Sequence, residues 1–264
     1  MSIKKKIHKT ASLLLSVLLV TSCGGEGAML VGSGVFRNFG EPSVGVGRAA
    51  PPAEPMAEVI CIDPGHGFDD AGCSSELLGG MDEAQVNLAI ALMLDEELRG
   101  RGYTTILTHD GESFPVTSAY DNNNKFKPEE RTAYAETLDI DYYVSIHCNS
   151  FEAPDVSGIR VYYFDGPIKT EHTSGEMAQS INDEIIASLG EGTDSTVHDM
   201  KKGVFHVLKA TSVPASLIEV GFVTNPTDAA NMIDSVWQRA FAVGVAEGID
   251  KYYRADETET ENET

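Results

Sequence analysis

Between Val59 and about Tyr253 the chain alternates short apolar runs with helix-period patterns, and this alternation limits the possible folds more than any other feature. "EVICID" reads as a strand. "DEAQVNLAIALMLDEELRGRG" reads as a helix with Asp82 as N-cap, Gln85 three residues on and Gly100 near its end, and "YTTILTHD" as a second strand. Helix "PEERTAYAETL", strands "DYYVSIH" and "GIRVYYF", helix "TSGEMAQSINDEIIASLG", strand "ASLIEVGF" and a closing helix "DSVWQRAFAVGVAEGIDKYY" follow. Strands that alternate with helices bury both faces of their sheet. The expected fold class is therefore α/β, a single domain with a mainly parallel or mixed central sheet covered by helices on both faces.

The flanks read differently. Residues 1–22 combine a basic start, "MSIKKKIHK", with an apolar run, "TASLLLSVLLV", that is too short to span a bilayer comfortably, which is the layout of an export signal. The run ends in "VTSC", which resembles the lipobox of bacterial lipoproteins, where the cysteine becomes an acylated N-terminus. Cys23 is thus the expected lipidation site, and the chain is expected to be extracytoplasmic and anchored to a bacterial membrane through lipid, not to span it. Residues 23–57 are rich in Gly and Pro without a sustained period and read as a tether with a root-mean-square span of roughly 30 Å. The folded domain is expected over residues 58–254. The last stretch, 255–264, "ADETETENET", carries no large apolar side chain and is expected to be disordered.

Charge excludes one class of partner. Loss of residues 1–22 removes four of the 19 basic side chains and none of the 41 acidic ones, leaving a balance of −26. Such a surface repels phosphates and no basic stripe offsets it, so nucleic acid is not expected as a partner. The cysteines after Cys23, namely Cys61, Cys73 and Cys148, have neither disulfide-framework nor C-x-x-C spacing and read as small packing residues.

In open α/β sheets ligands gather beyond the carboxyl ends of the strands. Four polar groups fall at or near such places. His66 follows "VICID" through a Pro-Gly turn, His147 ends "YYVSIH", Glu219 sits inside "ASLIEVGF", and Glu83 lies in the first turn of the helix after the opening strand. Each has an ordinary structural role open to it: a hydrogen-bonded histidine, or a carboxylate complementing a helix dipole. Glu219 is the hardest to explain so, because an unpaired carboxylate among Leu217, Ile218, Val220 and Phe222 calls for a cation or a proton. Two imidazoles with one carboxylate form the ligand set of a catalytic zinc, and a further carboxylate then serves as general base. On this reading the Pro-Gly turn aims His66 over the strand end, and Gly67 keeps the mouth of the site clear. Neither an H-E-x-x-H helix nor a G-x-S-x-G elbow is present.

"IDPGHG", the acidic start of "DEAQVNLAIA", "VSIHCNS" and "LIEVGFVTNPTDA", in that order, resemble the zinc-dependent N-acetylmuramoyl-L-alanine amidases of bacterial cell walls, over nearly the whole of Val59 to Tyr253. The resemblance implies one Zn2+ per domain bound by His66, Glu83 and His147, with Glu219 as the catalytic carboxylate. It also implies peptidoglycan as the partner, cut at the amide between N-acetylmuramic acid and L-alanine, by a protein expected to be a monomer. Two alternatives stay open: a peptidoglycan-binding lipoprotein that has lost catalysis, and a zinc peptidase acting on stem peptides. The chain departs from the family pattern at Phe68, where a second glycine is usual, and at Cys148, which by strand alternation should face away from His147. Asn149 reads either as a hydrogen-bonding support of the site or as a turn residue, and "GESFPVTSAYDNNNKFKPEER" either as a substrate-facing flap or as a plain loop. The segment between His147 and Glu219 is filled by strands and one helix, which leaves no room for a long occluding insertion.

Overall fold

The computed structural model describes residues 55–113, 127–166, 173–190 and 193–262. In chain order the elements are β1 (Val59–Pro64), α1 (Glu83–Gly100), β2 (Thr104–Leu107), α2 (Pro128–Ala135), β3 (Tyr142–Asn149), β4 (Arg160–Tyr163), α3 (Ser174–Leu189), β5 (Lys201–Lys202), α4 (His206–Ala210), β6 (Ala215–Phe222), α5 (Pro226–Met232) and α6 (Ser235–Asn262). The strands form one sheet in the order β2-β1-β3-β6-β4-β5. β2, β1, β3 and β6 run parallel, and β4 pairs with β6 antiparallel. The mixed α/β sheet expected from the alternation is the one found.

Side-chain alternation splits the core into two layers. Ile60, Ile62, Val144, Ile146, Ile218 and Val220 pack under α1, α3 and α6, in one cluster with Ile90, Leu94, Ile181, Phe241 and Val245. Cys61, Tyr143, Ala215 and Leu217 face the other way, toward Ala135 of α2 and Val207 and Leu208 of α4. The second layer is thinner, so the sheet face that carries His147 and Glu219 is covered only in part. α1 starts on a capping box, with the Asp82 carboxylate accepting the Gln85 N–H and the Gln85 side chain accepting the Asp82 N–H. That cap fixes the position of Glu83, the first residue of the helix.

Two expectations change. α6 continues to Asn262 and so takes in most of the stretch read as a disordered tail, because extending a helix already packed on a core adds one hydrogen bond per residue without a new nucleation cost. α4, α5 and β5 were not legible from periodicity, being too short to show one. Among the described residues no helix is long and apolar enough to cross a membrane.

Beneath the carboxyl ends of β1 and β3 lies a buried charge pair. The Asp63 carboxylate accepts from Arg131 Nε at 2.6 Å, Ser145 Oγ at 2.6 Å and Thr108 Oγ1 at 2.8 Å, and neither partner of the ion pair touches solvent appreciably. Burial works to raise the Asp63 pKa, but the Arg131 charge and these bonds outweigh it and hold the carboxyl below its ordinary value. Its contribution to stability is therefore complete above the ordinary carboxylate range and is lost as pH falls toward the lowered folded value. Asp63→Asn should cost about 3–5 kcal/mol at neutral pH, since it leaves a buried guanidinium without its counter-charge. Urea unfolding of parent and variant at pH 7 and pH 3 checks this; the gap between them should narrow at the lower pH.

Candidate metal centre

Three segments converge over the ends of β1 and β3. After Pro64 the chain turns through Gly65 into His66, whose φ of +64° is uncommon for a residue with a side chain. The backbone closes at once, with Gly67 and Asp70 exchanging N–H···O bonds of 2.8 and 3.0 Å. The His66 ring is held from two sides: Nδ1 lies 3.0 Å from Asp70 Oδ2, and Nε2 lies 3.3 Å from Glu83 Oε1. His147 brings Nδ1 to 3.1 Å from the same Glu83 oxygen. The two imidazoles meet edge to face with centroids 4.9 Å apart. One donor atom from each of His66, Glu83 and His147 lies within 4.8 Å of the others.

Glu83 is buried, and every neighbour of its carboxylate is a donor. Besides the two rings, Oε2 accepts the Cys73 N–H at 2.7 Å and Oε1 accepts the Cys148 N–H at 3.0 Å. Burial alone would raise its pKa, but the bonds from His147, His66 and Cys73 overcome that and push it far below the usual carboxylate range. The His66 pKa moves the opposite way: burial would lower it, yet the bonds and charges of Glu83 and Asp70 raise it.

Glu219 sits beside this cluster in a different environment. It is the register partner of His147 across the parallel β3–β6 pair, so both project from the same, thinly covered face. A register shift follows at once, between His147 and Asn149, where the β3 ladder loosens as it leaves the sheet. Among the described residues Glu219 Oε2 has no hydrogen-bond partner. Burial, reinforced by the nearby Glu83 charge, pushes the Glu219 carboxyl up to about 7. Its side chain separates two depressions. One, of about 140 Å³, is bordered by His147, Arg131, Phe205 and His206, and the other, of about 380 Å³, by Asn149, Arg160, Tyr162 and His198.

The structure thus brings His66, Glu83, His147 and Glu219 together. Cys148 does face away from His147: its thiol is buried against Asn87 Oδ1 at 3.3 Å, and burial raises its pKa well above the ordinary thiol value. Asn149 accepts the Ser150 N–H at 2.8 Å and borders the same groove as Glu219. Gly67 does not serve to keep the mouth open. Its φ of +118° requires glycine, and an added Cβ would meet the His109 ring at 2.8 Å. The clearance that matters is at Gly65, where a Cβ would lie 2.3 Å from the His147 ring. Asn87 and Asp70 were missed by sequence reasoning. Asn87 stands one turn after Glu83 and donates to the Gly65 carbonyl at 3.0 Å, a polar residue on the buried stripe of α1 that could have been noticed. Cys23 lies outside the described residues, as do His172 and residues 114–126 of the possible flap. Among the described residues, the segment from His147 to Glu219 places its one long helix, α3, against α6 on the far face and not over the cluster.

Comparison with known proteins identifies the family. A family profile described as "Amidase_3: N-acetylmuramoyl-L-alanine amidase" matches residues 60–251. The chain is 28% identical over 230 residues to N-acetylmuramoyl-L-alanine amidase LytC of Bacillus subtilis, covering 85% of this chain but 42% of LytC, so it spans less than half of that relative. It is 30% identical over 206 residues to the uncharacterized protein YqiI of the same organism, covering 78% of this chain and 89% of YqiI. Among solved structures, N-acetylmuramoyl-L-alanine amidase AmiC2 of Nostoc punctiforme aligns with a TM-score of 0.62 and 30% identity over 76% of this chain and 99% of that one. The chain belongs to the N-acetylmuramoyl-L-alanine amidase family.

Proposed function

We propose that this family member hydrolyses the amide between the lactyl group of N-acetylmuramic acid and L-alanine in peptidoglycan, using one zinc ion held by His66, Glu83 and His147, with Glu219 as the catalytic carboxylate. The observation that carries the reading is the pairing of two neighbouring glutamates with opposite surroundings, Glu83 buried and ringed by donors and Glu219 half-buried with one buried, unbonded oxygen. The donor set suits zinc. Imidazole nitrogen and carboxylate oxygen are ligands zinc takes, the two His–Glu approaches are 3.3 and 3.1 Å, and all three donor atoms lie within 4.8 Å of one another. The Asp70 carboxylate on His66 Nδ1 is the partner that orients a metal-binding imidazole and leaves Nε2 for the ion.

Zinc in this place supplies a Lewis acid that polarises an amide carbonyl and lowers the pKa of water towards about 7. The remaining work falls to Glu219. With a pKa near 7 it takes the proton of the attacking water and returns it to the departing alanine amine, so that one carboxylate acts as base and then as acid. The depressions on either side of it give the two halves of a substrate somewhere to lie. An inactive binding protein fits less well, since a carboxylate with a buried, unbonded oxygen is costly to keep without use.

The same proposal covers the rest of the chain: residues 1–22 an export signal, Cys23 the acylated N-terminus, residues 23–57 a tether, and residues 58–254 a monomeric catalytic domain held near a bacterial membrane on its extracytoplasmic side.

Two measurements test these assignments. Glu219→Gln should keep its zinc and lose about 10²–10⁴ in kcat, whereas Glu83→Gln should lose zinc along with activity and regain part of the rate when zinc is added. Metal analysis beside turnover on purified peptidoglycan, with fragments identified by mass spectrometry, decides the roles. Metal loss in Glu219→Gln with retention in Glu83→Gln would reverse them, and cleavage within the stem would point to a peptidase. Cys23→Ser should move the protein from the membrane to the soluble fraction with its turnover intact; equal membrane association of parent and variant would exclude the lipid anchor.

A further inference from the structure

Among the described residues the acidic chain pairs its arginines with carboxylates almost throughout. Arg99 meets Asp95, Arg101 meets Glu247, Arg131 meets Asp63, Arg239 meets Glu96 and Glu97, and Arg254 meets Asp250. Among the described residues Arg160 is the exception. It is half-buried, and Nη1 donates to the Asp199 carbonyl oxygen at 3.0 Å, with no carboxylate within ion-pair reach.

Its position gives the exception a meaning. The antiparallel register of β4 on β6 sets Arg160 directly opposite Glu219. Opposed residues in such a pair project from the same face with Cβ atoms about 4.5–5.5 Å apart. Two residues on, Tyr162 returns to that face, and its register partner on β5 is the exposed Lys201. The edge of the sheet beyond Glu219 therefore carries one guanidinium, that of Arg160, on the lining of the groove of about 380 Å³ that Glu219 also borders. Asp155, the other carboxylate on its lining, is exposed.

We propose that this groove is a subsite for a free carboxylate on the peptide side of the scissile amide, with Arg160 as its specificity-determining cation. The proposal rests on the function proposed above, which places the scissile amide at Glu219. One residue of peptide advances about 3.3–3.6 Å, so a carboxylate on the second stem residue falls within reach of a guanidinium that starts one strand away. The formal balance of −22 repels an anionic stem, and a single guanidinium without a protein counter-charge supplies the local attraction that the surface lacks. Its planar fork suits a carboxylate better than a carboxamide, which offers one acceptor oxygen and no charge.

The test uses two soluble muropeptides that differ only at the second stem residue, with a free α-carboxylate in one and a carboxamide in the other. The parent protein should favour the free acid by about tenfold or more in kcat/KM, chiefly through KM, which is the usual worth of a hydrogen bond to a charged group. Arg160→Gln should bring the ratio close to one, and Arg160→Lys should restore part of it. Equal use of both substrates by the parent would overturn the proposal, as would a loss in Arg160→Gln that is the same on both, since that marks a structural role through the Asp199 carbonyl. Calorimetric titration of both muropeptides into Glu219→Gln separates this proposal from the one beneath it. Tighter binding of the acid, even if the parent released no alanine amine, would uphold the subsite while the function failed; equal binding would overturn the subsite whatever the turnover.

Discussion

The geometry of the site depends on one buried charge, the carboxylate of Glu83. A carboxylate moved out of water is tolerated only where donors replace the hydration shell, and here the donors come from three separate segments. Cys73 supplies an N–H from the loop before α1, Cys148 supplies one from β3, and His66 and His147 bring their rings from the ends of β1 and β3. Satisfying Glu83 therefore fixes the distance between two strand ends and a helix start. The capping box at Asp82 and Gln85 places the residue, and Asn87 one turn later ties the same helix to the Gly65 carbonyl. Under this arrangement the Asp63–Arg131 pair holds β1 to α2 and β3 from below. The buried Glu83 carboxylate and the buried Asp63–Arg131 pair thus set the frame on which the partly covered histidines stand.

Much of this was legible in the sequence, and the reasons differ from residue to residue. The long elements announce themselves because strand and helix periods persist through "EVICID" and "DEAQVNLAIALMLDEEL". His66, His147 and Glu219 could be picked out because each is a polar interruption at the end of, or within, an apolar run, where a structure must satisfy it or use it. What could not be read is side-chain aim. Gly67 looked like clearance for the site, yet its backbone angle and His109 account for it, while the clearance proved to belong to Gly65. Asn87 offered one signal, a polar residue on the buried stripe of α1, but its partner and that of Asp70, the Gly65 carbonyl and the His66 ring, are defined only once the strand end has turned back over the helix start. α4, α5 and β5 escaped because a few residues cannot display a period.

The two glutamates show how one side-chain type can be given two properties by placement alone. Glu83 and Glu219 are both removed from water, so burial by itself would raise both pKa values. The backbone N–H groups and imidazoles around Glu83 reverse the sign and hold it ionised. Glu219 receives no such bonds, and the negative charge of Glu83 adds to the effect of burial, which carries it to about 7. Each carboxylate thus contributes to the state of the other: the ionisation of Glu83 is part of what keeps a proton available on Glu219 near neutral pH. A ligand must stay charged through the reaction, whereas an acid–base group must change charge within it, and pushing the pKa values of two neighbouring carboxyls apart provides both from one residue type. The divergence is set by which glutamate lies at a helix start, under the N–H groups of Cys73 and Cys148, and which stands on a strand facing an open groove. Because that placement follows from the capping box of α1 and from the β3–β6 register, the division of labour proposed for the site is built into the fold before any metal or substrate arrives.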